Sequence, residues 1–457
     1  MDIVISNAAI ITGDGETFWP RGQVAISSDR IAAIVEGHDE DLNARGTLRI
    51  DAKGAIVFPG IINGHAHGCA HGPAMPSGSP AFPQADIDYF RNRHLLAGTT
   101  TLVNVCGLAL PEEIDGGSGA SHPLQVYVTS AHTPSAIAAA DAVDGAGLSG
   151  RHREMNLDRA IALGAIALGE GGGGQTLGGG AQDYAFLPRA ILRDTGVSVA
   201  PRDAKSLKDA LLGRALDRAD RPPDSTFVAL CKKLDLLRHS TVDAVADIIK
   251  NTVMKSVVPA RRGLAELAQA SSRTGLPAIL HTAAPSAKTV IDLARSLPTS
   301  RLIAAHCNHP SCTPEQAVAT ARSLRELGVT IDVSTLDCIV THWRNTAENL
   351  DALIGEGLVD TLSTDFAGGH WDGILEAVHR MIVKGHLSAP QAIALATGNV
   401  ARLFPAFHDR GLLSVGKRAD ITIADRHNLS RVRHVIIGGK RIIQDGANVA
   451  TSSSLIH

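Results

Sequence analysis

This sequence has few aromatic residues, little excess of charge of either sign and no long apolar run. Aromatic residues make up 3% of the 457 residues, and the formal net charge is −3. This composition argues against nucleic acid or an anionic membrane as the main partner of the protein. No segment approaches the about 18 consecutive apolar residues that suggest a membrane-spanning helix. We therefore expect the partner of this protein to be a small molecule.

Cysteines are also few, and they lack the spacing of a disulfide framework or a zinc ribbon. Such scattered cysteines are typical of reduced thiols in the cytoplasm. The first residues, MDIVISNAAIITGDGE, have neither a basic region nor a long apolar stretch, so they do not look like a signal peptide. The sequence predicts a cytoplasmic protein. The six cysteines are Cys69, Cys106, Cys231, Cys307, Cys312 and Cys338.

Short strands separated by turns recur at both ends of the chain. IVISNAAIIT near the start and KRADITIADR near the end share this texture. Neither end is long enough to form a sandwich alone. We therefore predict one small β-sandwich domain built from residues 1–55 and 406–457, with residues 56–405 inserted between its halves.

In the middle of the chain, apolar runs alternate with helical patterns such as PEQAVATARSLRELG. Eight such runs are the number that closes a parallel (β/α)8, or TIM, barrel. The predicted fold class is therefore α/β. The predicted strands are 56–67, 99–105, 124–132, 165–170, 276–282, 301–307, 329–335 and 360–365.

One interval between strands is too long for a single βα unit, which needs about 30 residues. The excess lies at about 180–258 and contains two helix-like pieces. Since loops after barrel strands lie at the active-site face, this insertion is a candidate lid or oligomer contact, or simply a helical hairpin. The glycine-rich segment 169–183 before it fits no phosphate-binding pattern and predicts a mobile loop near the site.

The segment VFPGIINGHAH holds two histidines, His65 and His67, one residue apart. If they continue the strand, their side chains point to the same side. Two neutral imidazoles that converge in this way suit a divalent metal ion. A pair of loop histidines is the alternative, and the residues downstream decide between the two.

Polar side chains end several of the predicted strands, so all of them would lie at the C-terminal mouth of the barrel. Four histidines and two carboxylates match two divalent ions, zinc first and iron or manganese next. Glu170 is the acidic residue that would bridge the ions with its two oxygens. Asp365 would serve as general base and acid in a hydrolysis that uses metal-activated hydroxide. The predicted ligands are His65, His67, Glu170, His281, His306 and Asp365.

Several of these motifs together resemble the amidohydrolase superfamily. PGIINGHAH is similar to its first-strand metal motif, and ILHT and AAHCNH are similar to its fifth- and sixth-strand histidine motifs. LSTDFAGG resembles the eighth-strand aspartate motif, and GLLSVGKRADITIAD resembles the return to the β-domain. The resemblance covers nearly the whole chain. It implies a metal-dependent hydrolase of an amide or cyclic amide, which as a family-level expectation forms a homodimer or homotetramer.

Within the superfamily, enamidase-type binuclear members offer the nearest resemblance. GEGGGG, LHTAAPS, AHCNHPS and STDFAGGHWDGILEAVHRM are similar to segments of that group. The long insertion departs from it. The resemblance therefore implies opening of a lactam-like or enamide-like ring, and the identity of the substrate stays open.

Two alternatives follow from the same resemblance. Many members bridge the metals with a carboxylated lysine, and Lys255 is the lysine here whose position suits that role. A mononuclear deaminase of an aminated heterocycle would use one metal on His65, His67, His281 and Asp365. Family deaminases usually carry HxxE after the fifth strand, and HTAAPSAKTVIDLARS has no glutamate there.

Other histidines follow predicted strands and are candidates for substrate contact. His132 ends the third strand, His309 lies three residues beyond His306, and His370 follows Asp365. His342 is a further candidate. We expect His132, His309 and His370 to face the substrate.

Overall fold

A computed structural model gives the fold. It describes residues 1–44, 47–115, 122–173, 176–179, 182–342, 345–368 and 372–450. The strands are β1 (Ile3–Ile11), β2 (Phe18–Ser27), β3 (Arg30–Glu36), β4 (Leu48–Asp51), β5 (Ile56–Pro59), β6 (Ile61–Ala66), β7 (Thr99–Asn104), β8 (Gln125–Val128), β9 (Leu168–Gly171), β10 (Pro277–His281), β11 (Arg301–Ala305), β12 (Thr330–Ser334), β13 (Thr361–Ser363), β14 (Ile421–Ala424), β15 (Val432–Ile437), β16 (Lys440–Gln444) and β17 (Ala447–Asn448).

The helices alternate with strands through the middle of the chain. They are α1 (Glu40–Ala44), α2 (Gln84–Leu96), α3 (Pro134–Val143), α4 (Gly150–Glu154), α5 (Leu157–Ala162), α6 (Leu187–Thr195), α7 (Pro201–Leu212), α8 (Asp224–Lys233), α9 (Val242–Val253), α10 (Val257–Thr274), α11 (Ala287–Ser296), α12 (Pro314–Glu326), α13 (Glu348–Gly355), α14 (Ile374–Val383), α15 (Ala389–Ala394) and α16 (Gly398–Leu403). Short 3₁₀ turns lie at Pro111–Glu113, Leu236–Arg238 and Pro405–Phe407, and a π-helical turn lies at Gln182–Phe186.

Strands from both ends of the chain form one sheet. Its order is β17-β16-β15-β14-β5-β1-β2-β3, and β4 pairs with β1. Alternating isoleucines and valines on β1, β2 and β14 fill a core that this sheet encloses by itself. The strand texture that both termini share in the sequence thus corresponds to shared hydrogen bonding in the structure.

The central strands are parallel and form a ring. One sheet runs β6-β7-β8 and another runs β13-β12-β11-β10-β9. Parallel bridges between Ser130 and Leu168 and between Ala66 and Phe366 join the two sheets at both edges. The ring therefore holds eight strands, and the predicted α/β class with a TIM barrel and a terminal β-domain is confirmed.

The predicted first barrel strand, 56–67, is in fact two strands. Ile56–Pro59 pairs with β1 and β14 in the terminal sheet, and only Ile61–Ala66 belongs to the barrel. Gly60 separates them, where a Cβ atom would lie 2.3 Å from the side chain of Thr100. Because glycine has no side chain, the backbone can pass this close to Thr100 at the point where the chain changes from one sheet to the other.

The long interval after β9 folds as helices α6 to α9. The two helix-like pieces that the sequence indicates correspond to α7 and α9. Two further helices were missed, because α8 offers only Phe227 and Cys231 as buried positions and α6 follows the glycine run. Whether the insertion acts as a lid or as a subunit contact stays a prediction.

Buried polar contacts fix this insertion beside the loop that follows β10. Lys208 Nζ donates to Asp183 Oδ1 at 2.6 Å, and both side chains are at most 10% exposed. Gly178 has a left-handed backbone, and a Cβ atom there would lie 3.3 Å from Pro285. Arg261 Nη2 donates to the Pro285 carbonyl at 3.1 Å and to the carbonyl of Ala215, within the insertion, at 3.5 Å. The insertion therefore borders the loop that begins at His281.

The buried ion pair supports a stability prediction. We expect Lys208→Met to lower the free energy of unfolding by about 3–5 kcal/mol, because the change leaves Asp183 buried without its cation. The double variant Lys208→Met with Asp183→Leu should recover most of this loss, since no buried charge remains. Urea unfolding of both variants checks the prediction, and a single variant as stable as the wild type would contradict it.

The structure bears on the expectations about cysteines and membrane-spanning helices. All six cysteines are free thiols, and five of them are buried. Over the part of the chain that the structure describes, no helix has both the length and the apolar character needed to cross a membrane. The cytoplasmic location, the subunit number and the partners stay predictions.

Candidate metal centre

Six side chains that the sequence singles out meet at the C-terminal ends of the barrel strands. His65, Glu170 and His281 lie on β6, β9 and β10. His67 and His306 directly follow β6 and β11, and Asp365 is the second residue after β13. The four histidines and Glu170 are at most 4% exposed, and the Asp365 side chain is 19% exposed. The parallel strands bring them together, because all of their C-terminal ends open on one mouth.

The Glu170 carboxylate divides its two oxygens between two pairs of histidines. Oε1 lies 3.0 Å from His281 Nδ1 and 3.0 Å from His306 Nε2. Oε2 lies 3.5 Å from His67 Nε2 and 3.8 Å from His65 Nε2. This is the arrangement that a carboxylate needs to bridge two ions, one for each pair of rings.

The glycine run after β9 makes room for this carboxylate. A Cβ atom on Gly173 would lie 2.6 Å from Glu170 Oε2 and 2.3 Å from Pro76 Cγ. Any side chain at this position would collide with the carboxylate or with the loop after β6. The run therefore allows the backbone to turn directly over Glu170. Its expected mobility stays a prediction.

Asp365 lies against the first pair of histidines. Its Oδ1 atom is 3.3 Å from His65 Nε2 and 3.2 Å from His67 Nε2. Backbone bonds hold it there, since Asp365 N donates to the His65 carbonyl at 3.0 Å and His67 N donates to the Phe366 carbonyl at 2.7 Å. Asp365 has φ 49°, in the left-handed region. These cross-strand bonds stabilise that uncommon backbone conformation.

The donor set and its spacing fit divalent ions. Three triads have ligand atoms within 4.8 Å of one another. Zinc–nitrogen and zinc–oxygen bonds are about 2.0–2.2 Å long, so two tetrahedral ligand atoms lie about 3.4 Å apart. His65 Nε2 is buried and lies 3.3 Å from Asp365 Oδ1 and 3.8 Å from Glu170 Oε2, which suits a nitrogen that shares a metal ion with carboxylates. The triads are His65, His67 and Glu170; Glu170, His281 and His306; and His65, His306 and Asp365.

Electrostatics show that this cluster favours positive charge. Burial tends to raise the pKa of Glu170, but hydrogen bonds from His281 and His306 hold it well below the usual value. The pKa of Asp365 is also well below its usual value, since the charge of His306 and the hydrogen bonds of His65 and His67 outweigh burial. Both carboxylates therefore stay ionised in a dry environment. A divalent cation supplies the charge that they require.

His309 is the substrate candidate that the structure brings to the cluster. Its ring centroid lies 5.3 Å from that of His281 and 5.6 Å from that of His306. Its Nδ1 atom bonds the Ser311 hydroxyl at 2.8 Å. Burial and the charges of His281 and His306 hold the pKa of His309 well below its usual value, so its ring is neutral.

His132 lies four residues after the end of β8. Its Nδ1 atom bonds the Ser130 hydroxyl at 2.9 Å, and burial lowers its pKa to about 4. It lines a cleft beside α3, α5 and α10 that also includes Glu266 and Arg273. Among the described residues, no recorded hydrogen bond or ring contact joins His132 to the six clustered side chains. The predicted substrate contact of His132 stays a prediction.

The remaining candidates divide as follows. His370 lies outside the described residues, so its predicted substrate contact stays a prediction. His342 is exposed on the loop after β12. Lys255 is exposed in the turn between α9 and α10, whereas Glu170 occupies the fourth barrel strand, β9. The geometry therefore favours Glu170 over Lys255 as the bridge.

Two residues beside the cluster were not singled out from the sequence. The Asn63 side-chain oxygen accepts from His65 N at 3.3 Å and from Thr364 N at 3.2 Å, which ties β6 to the end of β13. Asp332 lies buried on β12 and bonds the His306 backbone. Each is a polar residue that directly follows an isoleucine within a predicted barrel strand. That pattern is the signal that could have found them.

A fully buried histidine next to the cluster predicts a pH dependence. His94 packs edge-on against Phe366 at 5.6 Å, and burial lowers its pKa to about 3. In the unfolded chain the His94 side chain takes up a proton near pH 6.5, whereas in the folded chain it stays neutral until the pH is near 3. The contribution of His94 to the free energy of unfolding is therefore fully present above pH 6.5 and decreases as the pH falls towards 3. Between pH 7.5 and 5.5 this group should cost about 1.4 kcal/mol.

The variant His94→Gln tests this dependence. It should remove that part of the pH dependence, measured by urea unfolding of metal-free protein at both pH values. An unchanged difference between the two pH values would show that His94 is not its source.

Comparisons with known proteins bear on this centre. The model of the amidohydrolase family matches residues 263–442, which contain His281, His306 and Asp365. A segment of 68 residues is 37% identical to 5-methylthioadenosine/S-adenosylhomocysteine deaminase of Syntrophobacter fumaroxidans. That match spans 14% of this chain and 15% of the relative, so the activity of the whole relative does not carry over.

Solved structures match over nearly the whole chain. The β-aspartyl dipeptidase of Fervidobacterium islandicum AW-1 aligns with TM-score 0.54 and 17% identity, over 99% of this chain and 100% of that one. The L-hydantoinase of Arthrobacter aurescens aligns with TM-score 0.56 and 13% identity, over 98% of both chains. A D-aminoacylase with a binuclear metal centre aligns with TM-score 0.58 and 13% identity, also over 98% of both. At these identities the likeness is one of fold.

Proposed function

We propose that this chain belongs to the amidohydrolase superfamily, whose family model matches residues 263–442, and that it cleaves an amide or cyclic amide at a centre of two divalent metal ions. As a member it would be a hydrolase of carbon–nitrogen bonds other than peptide bonds. The observation that carries the finer proposal is the Glu170 carboxylate, with one oxygen facing His281 and His306 and the other facing His65 and His67. A single-metal site would not need this division.

In this proposal each ligand pair has its own ion. His65, His67 and Asp365 would hold one ion, His281 and His306 would hold the other, and Glu170 would bridge them. When bound, such ions lower the pKa of water and polarise a carbonyl group. Burial of the histidines and Glu170 keeps bulk water away, which strengthens every electrostatic interaction in the site.

Asp365 would move the proton. Its Oδ1 atom faces His65 and His67, and among the described residues no hydrogen bond is recorded to Oδ2. Oδ2 would accept the proton that the attacking water loses and donate it to the leaving nitrogen. The neutral ring of His309, beside His281, would contact the substrate. Asp365 is more exposed than the other ligands, which suits a group that faces substrate.

The metal and the assembly are part of the same proposal. Histidine nitrogens with carboxylate oxygens suit zinc first, and iron or manganese next. A cytoplasmic homodimer or homotetramer acting on a small molecule is the form we propose. Metal analysis of purified protein and its mass by light scattering test these points.

Deamination of an aminated heterocycle is the second candidate. The short match to a deaminase favours it. It would need one ion on His65, His67, His281 and Asp365, and it would leave the contacts of Glu170 with both histidine pairs without a catalytic use. Release of ammonia distinguishes it from amide cleavage, which yields a carboxylate and an amine.

A substrate panel tests the proposal. It contains cyclic enamides and other lactams, hydantoins, N-acyl amino acids, β-aspartyl dipeptides and aminated heterocycles. We expect turnover of an amide or cyclic amide with a new carboxylate as product, and turnover about 10²- to 10⁴-fold slower with the Asp365→Asn variant purified in the same way. Turnover confined to aminated rings, with ammonia as product, would instead support the deaminase.

A further inference from the structure

Asp332 places a buried carboxylate next to the metal centre. It lies on β12 between the strands that lead to His306 and Asp365, and it is 4% exposed. Its Oδ1 atom accepts from the Thr361 hydroxyl at 2.8 Å, and its Oδ2 atom accepts from the Ser363 hydroxyl at 2.8 Å. Burying a carboxylate lowers the stability of the folded state unless hydrogen bonds or opposite charges compensate for the lost water.

The third bond of this carboxylate reaches a proposed metal ligand. His306 N lies 3.4 Å from Asp332 Oδ2, and the next amide, Cys307 N, donates to the Asp332 carbonyl at 2.8 Å. His306 has φ 38°, a left-handed conformation that residues with a side chain rarely adopt. One residue of β12 therefore receives two consecutive amides where the chain leaves β11.

The two halves of the centre are held by different contacts. Asn63 and the Phe366 carbonyl hold the half with His65 and His67. Asp332 contacts the His306 side, and no recorded hydrogen bond among the described residues joins it to His65 or His67. A change at Asp332 should therefore affect the two halves unequally.

We propose that Asp332 is a positioning residue that fixes the His306 backbone and so builds the half of the centre formed by His281 and His306. This inference rests on the proposed binuclear function. Asp332 acts through His306 and does not itself face the substrate. Its effect travels through an accepted hydrogen bond, so an amide oxygen at the same place can replace it.

Three variants separate this role from a general structural one. Asp332→Ala removes the acceptor. Asp332→Asn keeps an oxygen for His306 N and Ser363, and the Thr361 hydroxyl can turn to accept from the new amide. Asp360→Asn is the matched control, because Asp360 Oδ2 also accepts a β12 amide, Ile331 N at 2.8 Å, without contacting the centre. Asp332→Val, with a β-branched side chain that suits a strand, is a second acceptor-free variant should the alanine variant not fold.

Each metal-free protein is titrated with zinc alone, and calorimetry measures how many equivalents bind and with what affinity. We expect two equivalents for the wild type and for Asp360→Asn. In the acceptor-free variants the second equivalent should weaken by about 10–100-fold, the usual effect of losing a partner that orients a ligand. Asp332→Asn should restore it to within a few-fold.

Each other outcome has a defined meaning. Two equivalents of unchanged affinity in the acceptor-free variants would overturn the positioning role and leave the binuclear proposal intact. An asparagine variant as weak as the alanine variant would also overturn it, since charge rather than the hydrogen bond would then matter. A single equivalent in the wild type would contradict the proposed function itself.

Discussion

The Asp365→Asn variant should keep its metal ions and lose about 10²- to 10⁴-fold in kcat, the range of general acid–base contributions. An amide has the shape of the carboxylate but cannot take up the proton that Asp365 is proposed to transfer. Its oxygen can still face His65 and His67, where Asp365 Oδ1 now lies 3.3 Å and 3.2 Å away. The measurement pairs steady-state kinetics with the metal content of the same preparation.

The control for this prediction is Asp360→Asn, the same chemical change at the opposite end of β13, away from the cluster. It should turn over at nearly the wild-type rate. An Asp365→Asn variant with wild-type kcat would remove Asp365 from proton transfer. A variant that loses its metal together with its activity would show that Asp365 acts as a ligand above all.

The Glu170→Gln variant should lose at least one of the two ions and most of the activity. Only one of the two donor atoms of the side chain survives the change, because an amide nitrogen carries hydrogens and does not ligate. The remaining oxygen can serve one pair of histidines, so the ions lose their common ligand. Elemental analysis after purification in metal-containing buffer gives the count.

Lys255→Ala is the matched variant for the alternative bridge. Lys255 is exposed between α9 and α10, so we expect two ions and full activity after this change. If the lysine variant lost its metal and the glutamine variant kept both ions, the assignment of Glu170 as the bridge would be wrong.

The fold was predictable from the sequence wherever an apolar run ends in a polar residue. Each run that closes in a polar residue, such as ILHT or LSTD, corresponds to a barrel strand, because a buried parallel strand reads as a continuous apolar run. The division at Gly60 was not predicted. An apolar run looks the same whether it crosses one sheet or two, and only the contact with Thr100 shows why the chain changes sheets.

The cluster itself was predictable from residue types, but its organisation was not. His65, His67, His281 and His306 end or directly follow apolar runs, so they could be grouped in advance. The role of Asp332 depends on the hydrogen-bond partners of its two oxygens across β11 and β13, and residue spacing carries no information on those. His132 follows β8 and lines a cleft beside α3, α5 and α10, so its expected contact with the substrate stays a prediction.

The most direct test of the central claim is the number of metal ions that one chain binds. Metal-free protein titrated with zinc should bind two equivalents, and the Glu170→Gln variant should bind fewer under the same conditions. A wild-type chain that saturates at one equivalent, with Glu170→Gln unchanged, would contradict the binuclear centre.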